Sequence, residues 1–228
     1  MLSLLFLGFL IGIRHALDAD HLAAVAAIST QQSTIRDTIK HGAVWGVGHT
    51  TTLFLFGSLV IWMDTLVPET LVHALEFTVG LMLIALGLDV IRRVVKDRIH
   101  YHSHRHEDQQ THFHAHSHAG DDTHEQSAHN HSHHGRFPFK TLFIGFMHGL
   151  AGSAALILIT MDTISSLWTG MLYMLLFGIG SIVGMAIISA LIAIPLRASA
   201  QGLTWMHNGL QLGIGVLTTA LGIGIVSA

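Results

Sequence analysis

Five ionisable side chains fall within eight residues of an otherwise apolar stretch, Arg14-His15-Ala-Leu-Asp18-Ala-Asp20-His21. Two imidazoles and two carboxylates offer nitrogen and oxygen donors, a ligand set suited to a borderline divalent metal such as Ni²⁺, Co²⁺ or Zn²⁺. Read as one continuous helix, the spacing puts His15 with Asp18, and Asp18 with His21, on shared faces, so these side chains can converge on one ion. Arg14 and Asp18 stand four apart and can pair. Insertion scales charge roughly 2.5–3.5 kcal/mol for each Arg or Asp at the centre of a membrane helix, so such a cluster persists only if it faces a cavity or pairs internally. The competing reading is an ion-pair network that merely fixes helix packing.

Two further histidines lie at membrane depth. His49 sits in Gly46-Val-Gly48-His49-Thr50-Thr51-Thr52, where the glycines admit a neighbouring backbone and hydroxyls such as that of Thr50 can hydrogen-bond an imidazole. His148 sits in Gly145-Phe-Met-His148-Gly149. Alone, either reads as an interhelical hydrogen-bonder; two distant segments contributing histidine at corresponding depth point to a shared site. The expected metal ligands are therefore His15, Asp18, Asp20, His21, His49 and His148, with Arg14 and Thr50 in support. Asp162, at the end of a later apolar run, adds a carboxylate that either attracts cations or simply ends a helix.

Residues 96–137 hold 13 of the 20 histidines. His102, His104 and His106, then His112, His114, His116 and His118, alternate strictly, and His131 and His133 continue the theme. Alternate residues of an extended chain project to one side, so any two or three can chelate one metal. With nothing apolar to fold around, this tract is expected to be disordered without metal and to buffer Ni²⁺, Co²⁺ or Zn²⁺ loosely, without setting selectivity.

The elements that must position these groups are membrane helices. Of 228 residues, 50% are hydrophobic and 11% charged, with a mean hydropathy of +0.55, which marks an integral membrane protein surrounded by lipid. The absence of cysteine excludes a disulfide scaffold, a thiolate zinc site and a thiol nucleophile. A net charge of -3 leaves no footprint for nucleic acid.

Runs long enough to span occur at about 2–30, 42–63, 68–91, 138–161, 167–194 and 203–227. Leu2 to Ile13 has the length of a signal-peptide core, but no Lys or Arg precedes it and no small-x-small site follows directly. An all-α architecture of six spans follows, divided into a membrane segment 1–95, a loop 96–137 and a membrane segment 138–228. Arg36, Lys40 and Arg197 lie in the first and fifth loops, and most other basic residues flank the third, so the termini are expected outside and the His-rich loop in the cytoplasm.

The halves also repeat. Leu5-Phe-Leu-Gly-Phe-Leu-Ile-Gly12 matches Leu142-Phe-Ile-Gly-Phe-Met-His-Gly149, and glycine pairs at 46/48 and 178/180, then 80/87 and 215/222, follow in order. Three spans per repeat is odd, so the halves insert in opposite senses, an inverted-repeat transporter architecture with its site near the midplane.

His15-x4-Asp20-His21 resembles the signature of the nickel/cobalt transporter family, which includes urease-accessory nickel permeases. Gly48-His49-Thr50 and Met161-Asp162-Thr163 resemble two further family motifs. The resemblance implies selective, high-affinity movement of Ni²⁺ or Co²⁺ across the cytoplasmic membrane, with the first signature essential. Two departures matter: typical members have eight spans, so this chain looks like the shorter urease-accessory branch, and their acidic Phe-Asp-Thr-Ala-Thr-Glu motif is replaced by Phe146-Met-His148-Gly-Leu-Ala-Gly-Ser153. Nickel metallochaperones or urease and hydrogenase maturation proteins are the implied partners.

Efflux of the same ions is the alternative direction. An intramembrane metalloenzyme is disfavoured because no H-E-x-x-H arrangement occurs, and no G-x-x-x-x-G-K-[ST] loop exists for ATP.

Overall fold

The first apolar run breaks where its charges begin. In the computed structural model, which describes residues 2–63, 68–96, 100–105, 111–116, 138–151, 166–202 and 204–228, α1 spans Leu2–His15 and α2 spans Ala19–Ser29, bent by 57°. At the junction the helix tightens, with Leu17 N–H donating to the Arg14 carbonyl at 2.8 Å and Asp18 N–H to that of His15 at 3.0 Å. Asp18 then turns extended (φ -62°, ψ 146°) as the N-cap of α2. Aspartate is poor inside a helix and favoured at its start, and Asp20 in the first turn of α2 meets the positive end of that helix. This corrects the reading of one continuous helix through the cluster.

Thr34 opens the next helix with a reciprocal cap: its hydroxyl accepts from Asp37 N–H at 2.9 Å and donates to the Asp37 carboxylate at 2.6 Å. From there α3 runs Ile35–Met63 and α4 Glu69–Lys96; after the polar segment come α5 (Phe139–Ala151), α6 (Leu167–Gly202) and α7 (Thr204–Ser227). Helices α3, α4, α6 and α7 are each long and apolar enough to cross a membrane, and the bent α1–α2 pair makes a fifth candidate span. The remaining expected span, 138–161, is helical from Phe139 to Ala151, and the rest of it lies outside the described residues.

Close approach of backbones sets the packing. Helix α5 lies along α3 and α1 along α6, while α4 pairs with α7. A side chain at Gly145 or Gly149 would collide with the carbonyls of Trp45 and His49 on α3, the small-residue spacing that lets membrane helices touch. The two membrane segments thus interlock, since each of these three pairs joins one helix from each.

The surface is that of a protein in lipid. Trp45, Leu53, Leu83, Met174 and Met185 are fully buried, whereas Leu55, Leu81, Ile187 and Val216 face outward. Trp62, Trp168 and Trp205 stand exposed near helix ends, where indoles favour the membrane interface. Basic groups gather at one end. Arg93 donates to the Thr30 hydroxyl at 3.2 Å, Arg197 to the Ser33 carbonyl at 2.7 Å, and Gln31 to Asp89 at 3.3 Å, tying α2, α4 and α6 together there.

The His-rich tract, expected to lack regular structure, contains two antiparallel strands, β1 (His100–Arg105) and β2 (Thr111–His116). Their register pairs His100 with His116, His102 with His114 and His104 with His112. The same alternation read as a chelating pattern is a strand pattern, with Tyr101, Phe113 and Ala115 in the intervening positions.

Replacing Gly149 by leucine forces α5 away from α3 and lowers stability by about 1–3 kcal/mol, the usual cost of overpacking. Gly209→Ala, where nothing among the described residues lies within 4 Å, is neutral or slightly stabilising because alanine is the better helix former. Thermal unfolding of the detergent-purified variants checks both.

Candidate metal centre

A straight helix would separate His15 and His21 by about 9 Å of rise and about 120° around the axis. The break removes that separation: the last residue of α1 and the first turn of α2 bring the two rings to 4.3 Å between centroids. His49, halfway along α3, lies 5.4 Å from His15 and 5.0 Å from His21; His148, near the end of α5, lies 4.4 Å from His21 and 5.9 Å from His49. His21, His49 and His148 are 1%, 0% and 0% exposed. Four imidazoles from four helices therefore meet inside the bundle.

Carboxylates fix how these rings are turned. Asp20 receives two hydrogen bonds, one from His21 Nδ1 at 2.9 Å and one from His148 Nε2 at 2.8 Å. Asp18 receives a third, from His15 Nδ1 at 2.7 Å. An ionised carboxylate only accepts, so the facing nitrogen carries the proton and in a neutral ring the opposite nitrogen keeps its lone pair. Those opposite nitrogens, His15 Nε2, His21 Nε2 and His148 Nδ1, are buried without a hydrogen-bond partner among the described residues, and so are both nitrogens of His49. The ligand atoms of His15, His21 and His49 lie within 4.8 Å of one another, as do those of Asp20, His21 and His148. Each of these two sets is the size of a metal's protein ligand shell, and they share His21.

Several expected roles change. Asp18 turns to His15 and not to Arg14, which is exposed and forms no ion pair among the described residues. The Thr50 hydroxyl donates to the Gly178 carbonyl on α6 at 3.1 Å and not to an imidazole, and Thr51 and Thr52 bond backward within α3. The ring of Thr50's own helix neighbour is left bare because the hydroxyls have nearer backbone partners. Asp162, His106, His118, His131 and His133 lie outside the described residues, while His102, His104, His112, His114 and His116 belong to the hairpin strands.

Sequence reasoning missed Trp45 and Phe177. The Trp45 ring lies edge-on to His21 at 5.4 Å and to His148 at 5.2 Å, and Phe177 of α6 stands 5.2 Å from His15. These rings wall the cluster off with apolar faces. Trp45 precedes His49 by four residues, so helical spacing could have placed it on the same face; nothing local marks Phe177.

Residues 1–228 match the family described as high-affinity nickel-transport protein. Urease accessory protein UreH of Bacillus sp. (strain TB-90) is 37% identical over 229 residues, covering 98% of this chain and 90% of the relative. A protein of Methanocaldococcus jannaschii named for a nickel/cobalt efflux system is 33% identical over 100 residues, 42% of this chain and 45% of its own. Chloroplast protein FOR GROWTH AND FERTILITY 1 of Arabidopsis thaliana is 26% identical over 218 residues, 56% of its length. No solved structure matches. A family match that runs the whole length of the chain, joined to a near-full-length likeness to UreH, means that the chain belongs to the high-affinity nickel-transport protein family.

Proposed function

We propose that this chain is a permease that brings Ni²⁺ into the cell through the imidazole cluster at the bend of its first span. The observation that carries the reading is the set of five buried, unpartnered imidazole nitrogens on His15, His21, His49 and His148. A buried polar atom left without a partner costs about 1–3 kcal/mol, and a divalent ion is the partner that several converging lone pairs suit. His15, His21 and His49 take the role of ligands, and His148 completes or exchanges with that set.

Asp18 and Asp20 act behind the imidazoles. They hold the tautomers that aim lone pairs inward, as carboxylates do behind metal-bound histidines. Their two negative charges also match the charge of the ion, which lowers the cost of bringing it into a low-dielectric interior. The carbonyl end of α1 adds a negative dipole at the same point, an arrangement suited to a cation at a broken helix. The family match favours Ni²⁺, and the same donor set also suits Co²⁺ and Zn²⁺.

The six-span inverted repeat, with halves 1–95 and 138–228, gains support from reciprocal contacts. Gly48 of α3 abuts Leu142 and Phe146 of α5, and its counterpart Gly180 of α6 abuts Phe9 and Ile13 of α1. With the basic end in the cytoplasm, the termini are outside and residues 96–137 form a cytoplasmic metal buffer. The membrane potential then favours inward movement of a divalent cation by about 4.6 kcal/mol per 100 mV. The name of UreH suggests urease maturation as the consumer of the nickel, with metallochaperones or hydrogenase maturation proteins as other recipients. Efflux is the second reading, favoured by the partial likeness to the archaeal efflux protein.

Radionickel accumulation in a host lacking its own nickel uptake tests this. Wild type raises accumulation; His21→Ala and His49→Ala abolish the rise; deletion of residues 100–135 only reduces it. A fall in accumulation with wild type establishes export. Asp20→Asn keeps the side-chain shape but cannot accept from both imidazoles as a carboxylate does, and weakens nickel binding about 10–100-fold, the usual effect of removing an orienting partner. Equilibrium dialysis of the purified protein measures that shift.

A further inference from the structure

Five consecutive residues of α3 have a counterpart in α6: Trp45-Gly-Val-Gly48-His49 beside Phe177-Gly-Ile-Gly180-Ser181. In each, an aromatic ring, two glycines and an outward-facing β-branched residue precede one polar side chain. The two stretches also pack reciprocally. A side chain on Gly46 would meet Ile182 of α6, and one on Gly178 would meet Thr50 of α3. Trp45 and Phe177 both stand against the imidazole cluster. The chemistry differs at the fifth position, where the counterpart of His49 is Ser181.

The direction in which Ser181 points follows from its neighbours on α6. Gly178 and Ile182 meet α3, whereas Gly180 and Gly184 meet Ile13 of α1. Successive helix residues step by about 100°, which sets Ser181 between those two directions, toward the space where α1 and α3 approach each other. These are the helices that carry His15 and His49. Phe177, four residues earlier on the same face, has its ring 5.2 Å from that of His15. Ser181 is 0% exposed, and its hydroxyl has no hydrogen-bond partner among the described residues. A hydroxyl inside a helix can bond back to the carbonyl four residues before it, as those of Thr51 and Thr52 do. Ser181 makes no such bond, and the two helices it faces carry His15 Nε2 and both nitrogens of His49, which are bare as well.

We propose that the Ser181 hydroxyl is a further ligand of the transported ion, an oxygen donor from α6 that joins the imidazoles of His15, His21 and His49. A hydroxyl offers a lone pair and adds no charge, so Asp18 and Asp20 still match the two charges of the ion. The resulting donors come from α1, α2, α3 and α6, which makes the bound ion a tie between the two membrane segments. This inference rests on the nickel-permease reading and deepens it by naming a donor that imidazole spacing does not reveal.

The chain has no cysteine, so Ser181→Cys supplies a thiol at that one position. The full-length variant is purified in detergent, titrated with NiCl₂ and followed by near-ultraviolet absorption, where a thiolate bound to nickel gives a charge-transfer band that imidazole and carboxylate ligands do not. The expected result is a band that grows with Ni²⁺ and is lost when His49→Ala is added. Ser189→Cys, at a position also buried and unpartnered but lying against Gly42, gives no band. In cells, Ser181→Ala lowers the rate of radionickel accumulation while Ser189→Ala leaves it as in wild type. A Ser181→Cys protein that accumulates nickel yet shows no band overturns the proposal, as does a band that survives His49→Ala or appears equally in Ser189→Cys. If Ser181→Cys does not fold, the alanine pair decides: a wild-type rate in Ser181→Ala, or an equal loss in Ser189→Ala, overturns it. Failure of the underlying reading looks different, because wild type then leaves cellular nickel unchanged, or His21→Ala acts as wild type does, whatever stands at position 181.

Discussion

The bridge from Asp20 to His21 and His148 is the interaction on which the rest depends. One carboxylate accepts from an imidazole on its own helix and from another contributed by the opposite half of the chain, at 2.9 and 2.8 Å. That single residue joins the halves at the depth of the site and sets which nitrogen of each ring is bare. In a membrane interior, where water does not compete, such charge-assisted bonds are strong and their loss leaves an uncompensated carboxylate. The break between α1 and α2 follows from the same chemistry, because only a bent span can place His15 and Asp20-His21 against α3 and α5 together.

Packing makes that geometry available. Gly145 and Gly149 let α5 lie directly on the backbone of α3, which carries His148 to within reach of Asp20 and His49. Trp45 and Phe177 then close the cluster with aromatic walls, so the imidazoles face one another and not lipid. The site is therefore built from backbone contact outward: glycines set the helix spacing, the spacing sets the ring distances, and the carboxylates set the ring orientation. A permease gains from the unpartnered nitrogens that result, since an ion that satisfied every group permanently would not leave.

Much of this was legible in the residues. The apolar runs and their flanking charges gave the helices and the basic end, and the density of His and Asp near residue 20 marked the site, because ionisable groups at that depth need a reason. That His49 and His148 would join His15 and His21 followed from depth alone. Three things were not legible. The break at Ala16–Asp18 depends on whether Asp18 caps a new helix or continues an old one, a choice made by the tertiary partners of His15 and Asp20. That Asp20 spans His21 and His148 depends on the distance to α5, which no local spacing encodes. Thr50 has a free choice between an imidazole and a carbonyl, and α6 supplies the carbonyl of Gly178. In the His-rich tract one period-two pattern is compatible with both chelation and strand pairing, and the register of β1 with β2 shows the pairing.

Nickel K-edge X-ray absorption on the purified protein lacking residues 100–135, loaded with Ni²⁺, addresses the intramembrane site without interference from the His-rich tract. Outer-shell scattering from at least three imidazoles, diminished in His49→Ala, is the outcome required by convergence of His15, His21 and His49 on one ion. A shell of oxygen ligands alone, or no retained nickel once the tract is removed, would contradict it.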